Sequence, residues 1–395
     1  MNDSFLTQAN RAFDSGHAQQ GLELLRQYNR TNVTDAASWH RQANIEEQIG
    51  RFSAAGEAHF QCIQAAPNNA IGYLYAGYWL QKKEQNIDAA AALYSIAYDL
   101  DPSILTLWAK SNVSPPTQGR SREANKILRH FLSEKQRKTC ASLKNAKRIE
   151  NAHWVQTSDQ AVLYGIDNFE PALFFIPGLP TKPFYDAKDF AWSAHLSRHT
   201  HAIQQELTNA MDQRLTKEHL RPYLSDDFSN HSNLSELANS TNWMAIDLFK
   251  SGELNTDAST LFPNTLEALK ALPTYNLNDH PFEVFFSFLK PQQAIAPHFG
   301  QSNHALTVHL PLEIPMDCHL KVDTQTQTWK EGEPLIFDDS YLHSAHNNSD
   351  QTRVVLIFSI WHPNLTDTEK YAIQRSFTVR QHWLSNRSLQ LQKLL

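Results

Sequence analysis

Positions 34 residues apart along the first hundred residues carry side chains of the same kind, and a chain built that way is restricted to stacked, short-range units. Gly16, Gly50 and the Gln85-Asn86 corner occupy matching places. Behind them come Ala18, Gly21 and Leu24, then Phe52, Ala55 and Ala58, then Ile87, Ala90 and Leu93. Trp39 and Tyr73 recur at one position of successive units, and Pro67 and Pro102 close units just before the next helix. Small residues let two helices approach closely while large ones fill the remaining space. Neither short helix can bury its apolar stripe alone, so the units must stack.

Over residues 5–102 this pattern resembles tetratricopeptide repeats. The resemblance implies a concave surface for a peptide, a partner protein or another part of the same chain; a packing extension that stabilises a dimer is the plainer alternative. Repeats are expected over 1–112, with one more helix near 103–112 and a break at SPPTQG (114–119). A helix is expected from about 121 to 148, inside a helical linker spanning 113–165. Between Arg120 and Arg148 there are ten Lys/Arg against two acidic residues. With few aromatic anchors nearby, that charge reads as a solvated face or a bridge to acidic groups rather than a membrane-surface site. The net charge of −6 gives no reason to expect a nucleic-acid partner. Three widely spaced cysteines, Cys62, Cys140 and Cys318, make neither a disulfide framework nor a zinc knuckle. No basic start leads into an apolar run, and no stretch approaches eighteen apolar residues, so a cytoplasmic protein without a transmembrane segment is expected.

After Ala161 the period changes. Pro-Gly and Pro-x-x-Pro punctuation at IPGLPTKPFY (176–185) precedes a helical pattern near 187–214, and a polar Ser/Asn-rich stretch at 215–240 reads as loop. Short apolar runs then follow: EVFFSFL, HALTVHLPLEI, EPLIFDD and RVVLIFSIW. In ALTVHLPL, Leu306, Val308, Leu310 and Leu312 share one face while Thr307, His309 and Pro311 share the other. One face can pack on a core and the other can line a polar pocket. Such strands predict a double-sheet jelly roll (a double-stranded β-helix) with flanking helices, and no glycine-rich phosphate loop argues for a Rossmann fold. The fold class is therefore two-part, an all-α repeat region followed by this sandwich.

Among 19 histidines, two stand out by position. His298, in KPQQAIAPHFG, lies just before the pocket-forming strand; His343, in EPLIFDDSYLHSAHNN, follows 45 residues later at the end of an apolar strand. Neutral imidazoles from two strands can hold Fe(II) and leave positions for a bidentate oxoacid and O2. A facial triad would add a carboxylate two residues after the first histidine, where this chain has Gly300. Asp338 and Asp339 are the nearest acids, and a role in orienting a histidine or closing the turn suits them better than direct ligation.

Here a second resemblance becomes specific. FSFLKPQQAIAPHFGQSN, LTVHLPLEIP, TWKEGEPLIFDDSYLHSAHNNS and RVVLIFSIWHP resemble, in order and spacing, the aspartyl/asparaginyl β-hydroxylase family of Fe(II)/2-oxoglutarate oxygenases. Weaker matches at IPGLPTKPFYDAKDFAWSAHL, WMAIDLFKSGE and FPNT extend it over about residues 170–365. The resemblance implies an oxygenase domain at 166–380 and a C-terminal tail at 381–395. It implies a two-histidine iron site without a third carboxylate, with His298 and His343 as the metal ligands. Ser287 and Arg353 fall on positions that bind the distal carboxylate of the 2-oxoglutarate cosubstrate, and His309 on a position near its other end. A planar guanidinium fork matches a carboxylate, which agrees with that role for Arg353.

One departure affects substrate. Where the family places two arginines ahead of the second-sphere histidine, this chain has Ala305 and Thr307, which undermines an acidic substrate; Arg198, Arg214 and Arg221 are the other arginines that could supply a cation. The expected activity is hydroxylation of a peptide side chain or a small amino-acid-like molecule, with release of succinate and CO2. A noncatalytic repeat scaffold carrying a decayed sandwich is the alternative. Oligomeric state, the hydroxylated atom and the ligand of the repeats are not encoded legibly.

Overall fold

The computed structural model describes residues 4–211, 219–225, 233–277 and 279–392. Two compact units form, Met1–Lys135 with Phe377–Leu395, and Gln136–Ser376. Together they give the two-part architecture expected, helical first and sheet-rich second.

The first unit is built from helical hairpins. α1 (Phe5–Asp14) packs on α2 (Ala18–Thr31), α3 (Ala36–Gln48) on α4 (Phe52–Ala65), and α5 (Ala70–Trp79) on α6 (Ile87–Leu100). The three corners share one conformation, with positive φ at Gly16 (80°), Gly50 (81°) and Gln85 (52°). Glycine adopts that left-handed geometry freely, whereas Gln85 is held there at the end of a π-helical turn, Leu80–Glu84. The wider turn inserts a residue, so the third corner falls 35 residues after the second instead of 34. Trp39 and Tyr73 are equivalent in their bonding too: each donates to the carbonyl six residues before it, Val33 at 3.1 Å and Pro67 at 2.9 Å. The small residues act as expected at the crossings, because a Cβ on Gly56 would lie 2.4 Å from the Trp79 ring and one on Gly77 2.7 Å from the Tyr94 ring.

Two local expectations need correction. Residues 102–109 form two 3-10 turns, Pro102–Leu105 and Leu107–Ala109, rather than a full helix. The next helix, α7 (Pro115–Cys140), begins within SPPTQG and ends before 148. Prolines in a first helical turn lack only an N–H that would have no intrahelical acceptor, so they start this helix instead of breaking it. The basic residues of 120–148 find acids: Arg120 meets Glu47 at 2.6 Å, Arg137 meets Asp159 at 2.7 Å and Arg148 meets Glu369 at 2.8 Å.

The second unit is a two-sheet sandwich. Its strands are β1 (Phe184–Tyr185), β2 (Arg221–Pro222), β3 (Trp243–Lys250), β4 (Glu283–Leu289), β5 (Gln293–His298), β6 (Ala305–Glu313), β7 (Cys318–Val322), β8 (Gln325–Gln327), β9 (Leu335–Phe337), β10 (His343–Asn347) and β11 (Arg353–Trp361). The larger sheet runs β1-β9-β6-β11-β4-β3-β2, with Glu253–Leu254 paired to β3; the smaller runs β5-β10-β7-β8. One face of the large sheet, carrying Leu306, Val308, Leu310, Leu312, Val354, Leu356, Phe358, Val284, Phe286 and Phe288, forms a core with α8 (Ser193–Met211) and α9 (Pro263–Lys270). The other face meets the small sheet through Trp243, Leu289, Phe337, Ile295, Leu320 and Ala345. Parts of the expected polar loop, 215–218 and 226–232, lie outside the described residues; between them β2 pairs with β3. α10 (Asp367–Gln392) opens on a reciprocal cap, in which Thr366 Oγ1 accepts from Glu369 N–H and Glu369 Oε2 accepts from Thr366 N–H.

Trp79 is pinned by a hydrogen bond from its Nε1 to the Phe52 carbonyl, so Gly56→Ala cannot be relieved by moving that ring. Overpacking of this kind costs roughly 1–3 kcal/mol. Hydrogen exchange in peptides from α4 and α5 is expected to accelerate about 5- to 100-fold in this variant; unchanged exchange would mean the crossing has room to spare.

Candidate active site

Strand alternation decides what faces the interior of the sandwich. On β6 the inward residues are Ala305, Thr307 and His309; on β11 they are Arg353, Ile357 and Ser359; on β4 they include Glu283 and Phe285. These line one cavity of about 460 Å³, completed from the small sheet by Ile295, His298, Leu320, His343 and Ala345.

β5 and β10 pair so that His298 and His343 are cross-strand partners, and their ring centroids lie 4.1 Å apart. Each Nδ1 is within reach of a backbone carbonyl two residues earlier, Ala296 at 2.8 Å and Tyr341 at 2.9 Å. A carbonyl can only accept, so both Nδ1 atoms carry hydrogen, and in the neutral ring this leaves the lone pair on Nε2, the arrangement a metal ligand needs. Burial holds the His343 imidazolium down to about 4, despite opposing backbone bonds, so the ring is neutral. Among the described residues no group of three His, Cys, Asp or Glu side chains is placed to hold a metal.

Among the described residues Arg353 is the largest fully buried side chain, at 1% exposure. Its Nε and both terminal nitrogens have no hydrogen-bond acceptor. The guanidinium does have the Trp329 ring 5.1 Å from its carbon, and burial brings its pKa down to about 10, so it remains charged. A buried cation without an acceptor is costly unless an anion completes the site. Trp329 in turn donates Nε1–H to His309 Nδ1 at 3.2 Å, which leaves the hydrogen of a neutral His309 on Nε2. Burial, reinforced by Arg353 and His343, keeps His309 well below its ordinary pKa.

Ser287 stands diagonally across from Arg353, because Arg353 pairs with Leu289 and Val355 with Ser287. It is fully buried, and its Oγ accepts from Trp243 Nε1 at 3.0 Å; Trp243 rather than Ser287 forms the cavity wall. The structure thus gathers His298, His343, His309 and Arg353 on one cavity, with Ser287 just behind it.

The two acids separate. Asp338 is turned to Thr181 Oγ1 and the Ser340 N–H, a turn-closing role. Asp339 lies on the cavity and accepts from Thr307 Oγ1 at 3.0 Å; a Cβ on Gly300 would be 2.2 Å from its Oδ1. The Asp339 carboxyl therefore fills the space beside Gly300 that a side chain there would claim, and burial raises it to about 6 against the Thr307 bond. Sequence reasoning missed a wall of rings: Tyr223 stacks on Trp243 at 4.2 Å and on Phe285 at 4.8 Å. Alternation in WMAIDLF and EVFFSF places Trp243 and Phe285 inward, but only the β3–β4 register brings them together. Glu283, on the same wall, opens the run EVFFSFL, and nothing local in the sequence marks it as a cavity residue. His362 is held by Tyr185 at 3.0 Å and by the Asn364 N–H at 3.2 Å, a structural role.

The sandwich thus presents two paired imidazoles and a buried guanidinium without an acceptor to one cavity. Residues 197–363 match the model of the family described as Aspartyl/Asparaginyl beta-hydroxylase. Aspartate beta-hydroxylase domain-containing protein 2 of Mus musculus is 33% identical over 216 residues, which are 53% of this chain and 59% of that protein. Aspartyl/asparaginyl beta-hydroxylase of Homo sapiens is 27% identical over 209 residues, 52% of this chain and 26% of that one. Ornithine lipid ester-linked acyl 2-hydroxylase of Rhizobium tropici is 30% identical over 188 residues, 47% of this chain and 62% of that one. The chain thus spans less than two thirds of each of these relatives. Among the described residues no helix is long and apolar enough to cross a membrane.

Arg353→Met replaces an unpaired buried cation by an apolar chain of similar length. The melting temperature of the ligand-free protein is expected to stay level or rise. A loss of about 3 kcal/mol, as when a buried ion pair is broken, would show that the guanidinium has a protein partner.

Proposed function

We propose that this chain is an Fe(II)- and 2-oxoglutarate-dependent hydroxylase acting on a peptide side chain or a small amino-acid-like molecule. The observation that carries the reading is Arg353: a fully buried guanidinium, without an acceptor, on the cavity that also holds the paired imidazoles. A five-carbon dicarboxylate with a keto group suits both features, since one end can chelate a metal while the other meets a cation.

His298 and His343 would hold Fe(II) through their Nε2 atoms, their rings already oriented by the Nδ1 bonds to Ala296 and Tyr341. Arg353 would bind the far carboxylate of 2-oxoglutarate through its planar donors, with the Ser287 hydroxyl, which accepts from Trp243, free to donate its own hydrogen. The Nε2–H of His309, on the cavity wall from β6, would be available to donate to the cosubstrate. With O2, bound Fe(II) and 2-oxoglutarate supply the oxidation that turns a substrate C–H into C–OH, releasing succinate and CO2. Asp339, set against Gly300 and fixed by Thr307, adds a carboxyl beside the imidazoles without a side chain at position 300. The aromatic wall excludes water and positions the substrate carbon. The helical repeats offer a surface for a peptide or protein partner.

Anaerobic titration with Fe(II) and 2-oxoglutarate should give the visible absorption of a metal–oxoacid chelate, and admitting O2 should then produce succinate. Arg353→Ala, folded by circular dichroism, should weaken 2-oxoglutarate binding by about 10- to 150-fold, the loss of a charge-assisted contact of roughly 1.5–3 kcal/mol. Unchanged affinity in that variant would contradict the assignment; no 2-oxoglutarate binding at all would return the chain to a repeat scaffold.

A further inference from the structure

The end of the cavity away from Arg353 has a chemistry of its own. Val284 pairs with Phe358, which sets Glu283 at the level of Ser359. Ser359 lies six residues along β11 from Arg353, roughly 20 Å at the rise of an extended strand. Around Glu283 the wall consists of Tyr223, Tyr275, Phe282, Phe285 and Ser359.

Glu283 has no cation committed to it. Arg221 is turned to Asp247, donating Nε at 2.6 Å and one terminal nitrogen at 2.8 Å. The other terminal nitrogen goes to the carbonyls of Pro222 and Tyr223, both at 2.8 Å. Lys250 is opposite Glu283 in the β3–β4 register, but its side chain is exposed and forms no ion pair with it. Burial and Asp247 push the Glu283 carboxyl up to about 7 against the through-space pull of Arg221 and Lys250, and a bound cation would relieve that cost.

The charges on the cavity wall then sort by position. Among the described lining residues Arg353 is the one arginine and there is no lysine. Once Arg353 is given to the oxoacid, the described lining offers an acidic substrate no further arginine or lysine beside Glu283. The residues at 305 and 307, Ala305 and Thr307, add none, and Thr307 is occupied with Asp339. Arg198 is exposed on α8, and Arg214 lies outside the described residues. An amine or guanidinium, by contrast, would meet a carboxylate framed by aromatic rings, the surroundings that favour a cation.

We propose that Glu283 receives a cationic group of the substrate, an amine or guanidinium, and makes this chain selective for a basic rather than an acidic molecule. The proposal rests on the oxygenase reading for taking this cavity as the substrate pocket. It is tested by ligand-observed NMR on the full chain loaded with Zn(II), with and without 2-oxoglutarate. The probes are end-blocked lysine, arginine, norleucine and glutamate. Lysine or arginine should bind about 10- to 100-fold more tightly than norleucine, the range of a hydrogen bond to a charged group, and glutamate most weakly. Glu283→Gln should erase the advantage over norleucine, and Glu283→Lys should turn the preference toward glutamate. Glutamate binding as tightly as lysine, absence of binding by both cationic probes, or a cationic preference that survives both substitutions would each overturn the proposal. Failure of 2-oxoglutarate to bind in the same samples would instead remove the oxygenase reading, while the probe ranking measured without it still decides the role of Glu283.

Discussion

A guanidinium enclosed between two sheets is an expensive group to leave without an acceptor, and Arg353 dictates how the rest of the sandwich has to be understood. Burial of a lone charge in protein is tolerated where a ligand or partner completes it. The neighbours of Arg353 are arranged accordingly: Trp329 stands over it, Trp329 fixes the His309 tautomer, and Ser287 waits two pairs along the neighbouring strand. The imidazole pair on the opposite sheet gives the other half of a two-ended site. A cation at one end and imidazole nitrogens at the other are what the proposed chelating oxoacid would require.

The same cavity is polar in a directed way. Along β11 the charge runs from Arg353 to the level of Glu283, and the imidazoles enter from the facing sheet. The loss of two arginines at positions 305 and 307 is therefore not an isolated departure from the family pattern. Thr307 is put to use on Asp339, and the wall beyond it carries a carboxylate in place of a cation. On the proposed reading, substrate charge and cosubstrate charge would be kept at opposite ends.

Much of this was legible in the chain itself, where a residue's role follows from local periodicity. The corners at Gly16, Gly50 and Gln85 announce the helical hairpins because left-handed backbone is needed at each. The alternation in ALTVHLPL settles which side chains face the core, and the ordered motifs around His298, His343 and Arg353 mark the site. What could not be read depends on register between distant strands or on competition between local signals. Pro115 and Pro116 read as a break but start a helix. Asp339 was a plausible orienting acid, but its fit against Gly300 requires the fold. Glu283 and Tyr223 are 60 residues apart in sequence, and nothing local says that they share a wall.

The central claim is that the Arg353 guanidinium is completed by an oxoacid whose other end meets a metal between His298 and His343. A crystal structure with a divalent metal and an unreactive analogue of 2-oxoglutarate tests it most directly. The account predicts the metal on the Nε2 atoms of both histidines and the analogue's far carboxylate within hydrogen-bond distance of the Arg353 nitrogens. An analogue bound elsewhere, with Arg353 still lacking an acceptor, would contradict it.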